Sequence, residues 1–373
     1  MIFVNPYTRV ISSLPNFSLT YAATHFNVKV IDLNGRLFPR DRFLKEKTEV
    51  LGISVQSRTY NESLRIAKEY KKKYPNAKIV SVNTGIDIEC CYPFIKFKDN
   101  IELKKPFSDD YPFPNYELLD SFPIFQKNWK SGEWNYPMLT SLGCPFQCAH
   151  CAASQRGWRA RSAENCYKEL KQAKERWGIK RFEIVDDVFN INRQRVLDFC
   201  KLVKPLGLEW ACVNGLRADL FDEEMARALA DSGCAIVSFG VESVHPEVLA
   251  GIKKGETIRQ IEKAIDIAKR HFRIVNGFFI IGLPGSSYKK DLQSLEWARK
   301  KRINAQFSYY IPREKQIATN AVFFGDNAKP VAEEYPKKLQ ERMYRMTAYM
   351  RPEKNLVRRG INKIKRIWFS HKK

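Results

Sequence analysis

From residue 137 onward six short apolar runs recur, separated by five amphipathic helical stretches. The apolar runs fall at 137–142, 181–186, 209–213, 235–241, 274–281 and 304–310, with helical periodicity near 163–177, 192–205, 222–232, 257–271 and 288–302. Short apolar runs separated by longer segments of helical period argue for parallel strands joined by crossover helices. Six units in succession favour a partial (βα)6 TIM-type barrel over an open sheet, with chemistry at the C-terminal strand ends. Two helix starts are explicit: Ser162 precedes AENCYKEL, and Thr257 has Gln260 three residues on, a capping-box pattern.

Residues 1–105 have a shorter rhythm. MIFVN, VKVID, EVLGISV and KIVSVN read as strands, and NESLRIAKEYKKKYPNA as an amphipathic helix with Leu64, Ile66, Ala67 and Tyr70 inward. This predicts a small flavodoxin/Rossmann-like doubly wound domain, so the whole chain is α/β. Residues 106–136, rich in Pro and aromatics, read as an irregular connector on the surface of both domains. The expected division is 1–105, connector 106–136, barrel 137–312 and a basic helical tail 313–373.

No run of about 18 apolar residues occurs, which excludes a transmembrane helix. MIFVNPYTRV lacks the charged and apolar regions of a secretory signal. Nine cysteines, three of them clustered, suit a reducing cytoplasm better than a disulfide framework. The net charge of +23 is partly solvated helix faces and partly the tail. There Val357, Ile361, Ile364 and Trp368 recur at helical spacing among basic residues over 351–373. Such a helix suits an anionic membrane surface and a lipid-like substrate, or it docks under the barrel with its basic face solvated.

The clustered cysteines are Cys144, Cys148 and Cys151, in GCPFQCAHC directly after the first barrel strand. Gly143 and Pro145 mark a loop, which therefore sits at the catalytic mouth. Thiolates spaced C-x3-C-x2-C reach three corners of a 4Fe-4S cubane. The fourth iron is then open to a substrate or cofactor, as a catalytic zinc keeps a vacant position. Zinc held by the three cysteines and His150 is an alternative, but adjacent His150 and Cys151 chelate one tetrahedral ion awkwardly. A third reading is three buried structural thiols. Cys90, Cys91, Cys166, Cys200, Cys212 and Cys234 read as small core residues.

This loop after a first barrel strand resembles that of the radical S-adenosylmethionine (SAM) enzymes. FEIVDDVFNINRQRV, WACVNGLRADLFDEEMARALADSGCAIVSFGVES and GFFIIGLPGSS resemble later barrel segments of the branch with an N-terminal cobalamin-binding-type domain. MIFVNPYTRV, VKVIDLNG and EVLGISVQSRTY resemble that domain, and MYRMTAYMRPEKNLVRR resembles the branch's C-terminal tail. The resemblance implies a 4Fe-4S cluster whose open iron binds SAM. One-electron cleavage then yields a 5′-deoxyadenosyl radical that abstracts hydrogen from substrate. It also implies an external one-electron reductant of flavodoxin or ferredoxin type, and a small-molecule substrate.

By the same resemblance Asp186 and Asp187 face the SAM ammonium, or else are helix-entry acids. Arg217 forks onto the SAM carboxylate, or pairs with Asp219 at the surface. Glu242 serves the ribose hydroxyls or the amino group. Gly277 and Gly282, with Leu283, Pro284 and Gly285, shape the adenine floor. His150 stands where the family has an aromatic packed near the adenine, and Arg159 and Arg161 neutralise the cluster region or lie exposed.

The chain departs from the branch in three places. It lacks a D-x-H-x-x-G stretch, VNTGIDIECC replaces a Gly-rich loop, and YYIPREKQIATNA replaces a Pro/Gly-rich turn. Cobalamin therefore stays open. With it, methyl transfer to an unactivated carbon or phosphorus leads; without it, the domain is a platform and the radical drives another transformation. Radical modification of RNA is a rival, since a basic chain suits phosphates, but no RNA-binding module is recognisable. A non-enzymatic iron–sulfur electron carrier predicts four protein ligands, which the loop opposes.

Overall fold

The structure is a computed structural model and describes residues 1–7, 14–34, 39–55, 59–83, 100–102, 107–151, 153–154 and 157–310. The strands β1 (Ile2–Asn5), β2 (Val30–Asp32), β3 (Val50–Ser54), β4 (Lys78–Asn83) and β5 (Asn100–Glu102) form one parallel sheet in the order β2-β1-β3-β4-β5. This is the flavodoxin-like order, whose ligand crevice opens where the order reverses, between β1 and β3. Between strands run α1 (Phe17–Phe26), started by the Asn16 side chain accepting from Leu19 N, and α2 (Tyr60–Lys73). The buried stripe of α2 is Ser63, Ile66 and Tyr70. Leu64, expected inward, lies one step round from that stripe and is 43% exposed.

The connector is neither irregular throughout nor superficial. It contains α3 (Phe122–Ser131), with a proline in its first turn, where the missing N–H costs nothing. The aromatics at 122, 125 and 129 fall on one helical face. Trp129 is fully buried among Tyr116, Phe122, Phe125, Tyr136 and Trp177, with ring centroids 5.2 to 6.3 Å from its own. Asp32 at the end of β2 accepts from Ser121 Oγ at 2.7 Å, and Arg42 Nε donates to Asp120 at 3.0 Å, which fixes the connector to the first sheet. One apolar cluster consequently runs from Phe3, Leu19 and Tyr21 through the connector into the second sheet. The other face of the first sheet has its own cluster around Ile53, Phe43 and Tyr70.

The second sheet begins with β6 (Tyr136–Met138). An antiparallel pair, β7 (Ser141–Leu142) and β8 (Arg159–Ala160), follows; then come β9 (Arg181–Ile184), β10 (Glu209–Leu216), β11 (Cys234–Glu242), β12 (Ile274–Ile281) and β13 (Asn304–Tyr309). Apart from that pair all six are parallel, in the order β13-β12-β11-β10-β9-β6. The helices between them are α4 (Ala163–Trp177), α5 (Arg193–Val203), α6 (Glu223–Asp231), α7 (Pro246–Gly251), α8 (Ile258–His271) and α9 (Tyr288–Lys301). The result is a partial TIM-type barrel. The single strand expected at 137–142 is split, because Thr140 and Ser141 turn aside to bond Asp186.

Ring contacts show which way the strands face. Phe182 meets Phe199 of α5, Phe239 meets Phe221, and Phe279 meets Trp297 of α9, so these side chains point toward the helices. Ser238, Gly240, Asn276, Phe278, Gln306 and Ser308 alternate with that set and line the interior. No helix among the described residues is long and apolar enough to cross a membrane. The basic tail, Cys90, Cys91 and the residues 84–91 of VNTGIDIECC lie outside the described residues.

Candidate active site

The cysteine loop springs from the C-terminal end of β6 and is closed by the β7–β8 pair. Gly143 takes φ +83, a left-handed conformation that disfavours any side chain, and donates its N–H to Asp187 Oδ2 at 2.7 Å. Cys144 bridges to Ser154, and Ser154 Oγ donates to Cys151 O at 2.7 Å. From the other side the α7–α8 segment straps the loop down. Ala149 N donates to Ile252 O at 2.9 Å, and Cys148 Sγ lies 3.9 Å from Lys254 O. All three cysteines thus stand on one loop at the catalytic end of the barrel.

Burial pushes the Cys144 thiol up to about 11 and raises Cys148 and Cys151 as well. Without metal they are neutral thiols; iron would deprotonate them. Among the described residues no three His, Cys, Asp or Glu side chains gather tightly enough for a single metal ion. A cubane asks for something different, since each thiolate takes its own iron. Three thiols on a loop pinned at both ends suit that donor set.

Asp186 and Asp187 part company. Asp186 is buried and accepts from Thr140 N at 2.6 Å, Thr140 Oγ1 at 2.5 Å and Ser141 Oγ at 2.7 Å. Its carboxylate secures the base of the loop and is not presented to the mouth, which corrects its expected role. Asp187 is closer to the cysteines, through Gly143.

Glu242 carries the mouth's acid. Its φ is +61, and Ser243 N reaches back to Val241 O at 2.7 Å, a γ-turn with positive φ at its centre. Such strain in a residue other than glycine is concentrated at functional sites. A register shift against β12 at Gly240–Glu242 accompanies it. Lys254 Nζ lies 3.2 Å from Glu242 Oε1 and 3.1 Å from Glu256 Oε2. Burial opposes the ammonium, but the two carboxylates outweigh it and hold its pKa above the ordinary lysine value. His150 is near this group, with Nε2 4.0 Å from Glu242 Oε1.

Arg217 is buried, not a surface residue. It pairs with Asp219 at 2.8 Å and Glu256 at 3.5 Å, donates to Lys254 O at 2.8 Å, and stacks over Phe146 of the cysteine loop at 3.7 Å. It braces the loop, strap and third strand, and has no fork to spare for a carboxylate. Arg161 is likewise buried, paired with Glu169 at 2.6 Å behind the barrel, so it is neither an exposed arginine nor a neutraliser of the cluster region; Arg159 is exposed. Gly277 faces the helices: a Cβ there would meet Ile303 at 2.7 Å, so packing and not an adenine floor explains it. Gly282 does end β12 at the mouth, with φ +77 and its N–H on Asp291 Oδ2 at 2.9 Å.

Sequence reading missed Lys254, Glu256, Asn190 and Asp291. In KKGET, a loop between helices, lysine and glutamate look like solvated charges; only the fold shows them buried. Asn190 ties the exits of β9 and β10 together by bonding both Arg217 N and Arg217 O at 2.9 Å. Asp291 pins the GLPGSS turn through Gly282 and Ser286.

The geometry has counterparts. Residues 138–298 match the Radical SAM superfamily. Over 208 residues, 55% of this chain and 44% of the relative, it is 34% identical to an uncharacterised methyltransferase of Pyrococcus horikoshii. It is 30% identical to the cytidylyl-2-hydroxyethylphosphonate methyltransferase of Streptomyces wedmorensis over 47% of this chain and 35% of that one. The matches thus span less than half the length of these curated relatives. Among solved structures, TsrM of Kitasatospora setae, a radical S-adenosylmethionine methyltransferase with cobalamin and a [4Fe-4S] cluster bound, aligns with TM-score 0.65 at 17% identity, covering 83% of this chain and 76% of that one. OxsB, a cobalamin-dependent S-adenosylmethionine radical enzyme, aligns with TM-score 0.64 at 17% identity over 93% of this chain and 60% of that one. The likeness to both is one of fold. Residues 138–298, with their three-cysteine loop set on the first strand of a six-stranded partial barrel, thus match a radical SAM domain in sequence and in fold.

Proposed function

We propose that the chain is a radical SAM methyltransferase whose cluster is held by Cys144, Cys148 and Cys151 and whose fourth iron ligand is SAM. The observation that carries this is the juxtaposition of three thiols with a buried acid–base pair at one strand end. Glu242 and Lys254, opposite charges 3.2 Å apart, are complementary to the ammonium and carboxylate of an amino acid. Glu242 would take the ammonium and Lys254 the carboxylate, while Glu256 keeps Lys254 charged. Arg217 and Phe146 hold the loop and exclude water from its inner side. Cluster and SAM together supply a hydrogen-abstracting radical by one-electron cleavage of the sulfonium, with an external reductant providing the electron.

The first sheet supports a corrinoid site. At its crevice Asn16 Nδ2 bridges Asn5 Oδ1 at 2.9 Å and Ser54 Oγ at 3.2 Å, uncharged groups that suit the amide fringe of cobalamin. The domain's one histidine, His25, lies in the last turn of α1, at the opposite end of that helix from Asn16. The limits proposed are 1–105 for this domain, 137–312 for the barrel and 313–373 for a basic tail contacting lipid-like substrate or an anionic membrane. Liposome flotation unchanged on removing 351–373 would dispose of the membrane contact.

The test of the main reading is anaerobic reconstitution with iron and sulfide, reduction in the presence of SAM, and assay for 5′-deoxyadenosine and S-adenosylhomocysteine. S-adenosylhomocysteine formed together with bound corrinoid selects methyl transfer. Neither product from an intact cluster overturns the reading.

A further inference from the structure

In a barrel of parallel strands the crossover helices run back against them, so helix C-termini and strand N-termini share the face opposite the mouth. That face gathers cations. The last turns of α3, α4, α5, α8 and α9 all carry lysine or arginine, three in succession in α9. At the mouth ends acids take their place: Glu164 stands in the first turn of α4 and Asp291 in that of α9. The basic ends interlock. Lys269 Nζ of α8 donates to Lys301 O of α9 at 2.8 Å, and Lys174 Nζ of α4 donates to Leu206 O beyond α5 at 2.6 Å. The cations therefore follow one another round a single rim.

Ion pairs and helix dipoles account for part of this charge. Arg270 pairs with Glu223, Lys204 with Asp231 and Lys301 with Asp266. Left over are Lys130, Lys180, Lys201, Arg299, Lys300 and Arg302, all exposed and none ion-paired with a described residue. A helix C-terminus presents roughly half a negative charge. The end of α9 sets three unpaired cations against it, and Arg299 and Arg302, three residues apart, repel each other. Arg302 also takes the left-handed C-cap of α9, φ +52, where glycine is the usual residue. The fold gains nothing from this excess; an external polyanion would compensate it.

Shape narrows the partner. Cations set round the end of a barrel meet a flat surface at many points at once, whereas a nucleic-acid strand is tracked by a groove or stripe. The exposed large apolar side chains among the described residues are Met1, Leu64 and Leu220, none of them on this rim, so the contact is with headgroups and not hydrocarbon. We infer that the face of the barrel opposite the mouth docks on an anionic bilayer, its lysines and arginines against lipid headgroups, with the mouth held away from the membrane. The inference stands apart from the SAM reading and from the tail.

The experiment sediments the full chain with phosphatidylcholine vesicles, with and without phosphatidylglycerol, and repeats the titration with a single-stranded RNA oligonucleotide. Binding is expected only where phosphatidylglycerol is present and should fall as salt rises. Lys300→Gln and Arg302→Gln together should weaken it about thirtyfold, about fivefold per charge. Arg259→Gln removes the same charge from the mouth end of α8 and should leave binding unchanged, which separates this face from net charge. All three side chains are exposed, so the variants keep the fold. No binding to phosphatidylglycerol vesicles, equal weakening by Arg259→Gln and Arg302→Gln, or a loss seen only on removing 351–373 overturns the inference. So does an RNA affinity that falls in the Lys300 and Arg302 variant while vesicle binding holds, which would make the face one for nucleic acid.

Discussion

Glu242 holds a backbone conformation that costs a residue with a Cβ about 1–2 kcal/mol, and it is kept there by its neighbours. The space its carboxylate shares with Lys254 exists because residue 240 is glycine: a Cβ would lie 2.6 Å from Glu242 Oε1 and 2.8 Å from Lys254 Nζ. Gly240→Ala should therefore separate the pair, weakening SAM binding about tenfold or about 1.4 kcal/mol while the cluster absorbance is retained. Isothermal titration of the reconstituted protein measures this. Lys254→Met strands the buried Glu242 carboxylate and leaves Glu256 to Arg217 alone, and should destabilise by about 3–5 kcal/mol, read from urea unfolding. Cys148→Ala should lose cluster absorbance and 5′-deoxyadenosine formation together. A pH effect belongs here too. Burial raises the pKa of Glu183, against one bond from Asn135. A carboxyl raised on folding destabilises its charged form, so Glu183→Gln should raise Tm near neutral pH. That gain should shrink as acid protonates the wild-type side chain. The placement of the cysteines and Glu242 at the mouth was legible because a loop after the first strand and an acid at a strand end both fall at the C-terminal face of such a barrel. Lys254 and Glu256 were not, since charges in a loop acquire meaning only from what covers them.

Elements were legible where local chemistry alone decides them. The start of α8 is the capping box read from Thr257 and Gln260, both halves of which form. Thr257→Ala should cost about 1 kcal/mol, seen as a lower urea midpoint with unchanged slope. The α3 segment was misread because proline and clustered aromatics signal loops on average. Here the proline sits in the first turn, and the aromatics repeat at helical spacing toward Trp129. The split of the first barrel strand was hidden for another reason. It depends on Asp186, more than 40 residues downstream, drawing Thr140 and Ser141 toward itself. Tertiary hydrogen bonds of that kind leave no trace in a local window.

At the scale of the whole molecule, two parallel sheets share one apolar core through the connector. The pattern of βα units announced both sheets, but not that they would be joined by buried aromatics instead of a surface linker. Trp129→Ala, which removes the central ring of that joint, should cost about 3–5 kcal/mol and leave a single calorimetric transition at lower temperature. Two transitions in the unaltered protein would contradict the shared core. The same continuity has a consequence for ligands. A molecule that binds only the folded state adds RT ln(1 + [L]/Kd) to the stability of everything that unfolds with its site, about 2.7 kcal/mol at a hundredfold excess over Kd. A corrinoid held at the crevice of the first sheet would thus lengthen the life of the cysteine loop in the second without touching it. Loss of either ligand would be felt as heat sensitivity by both halves.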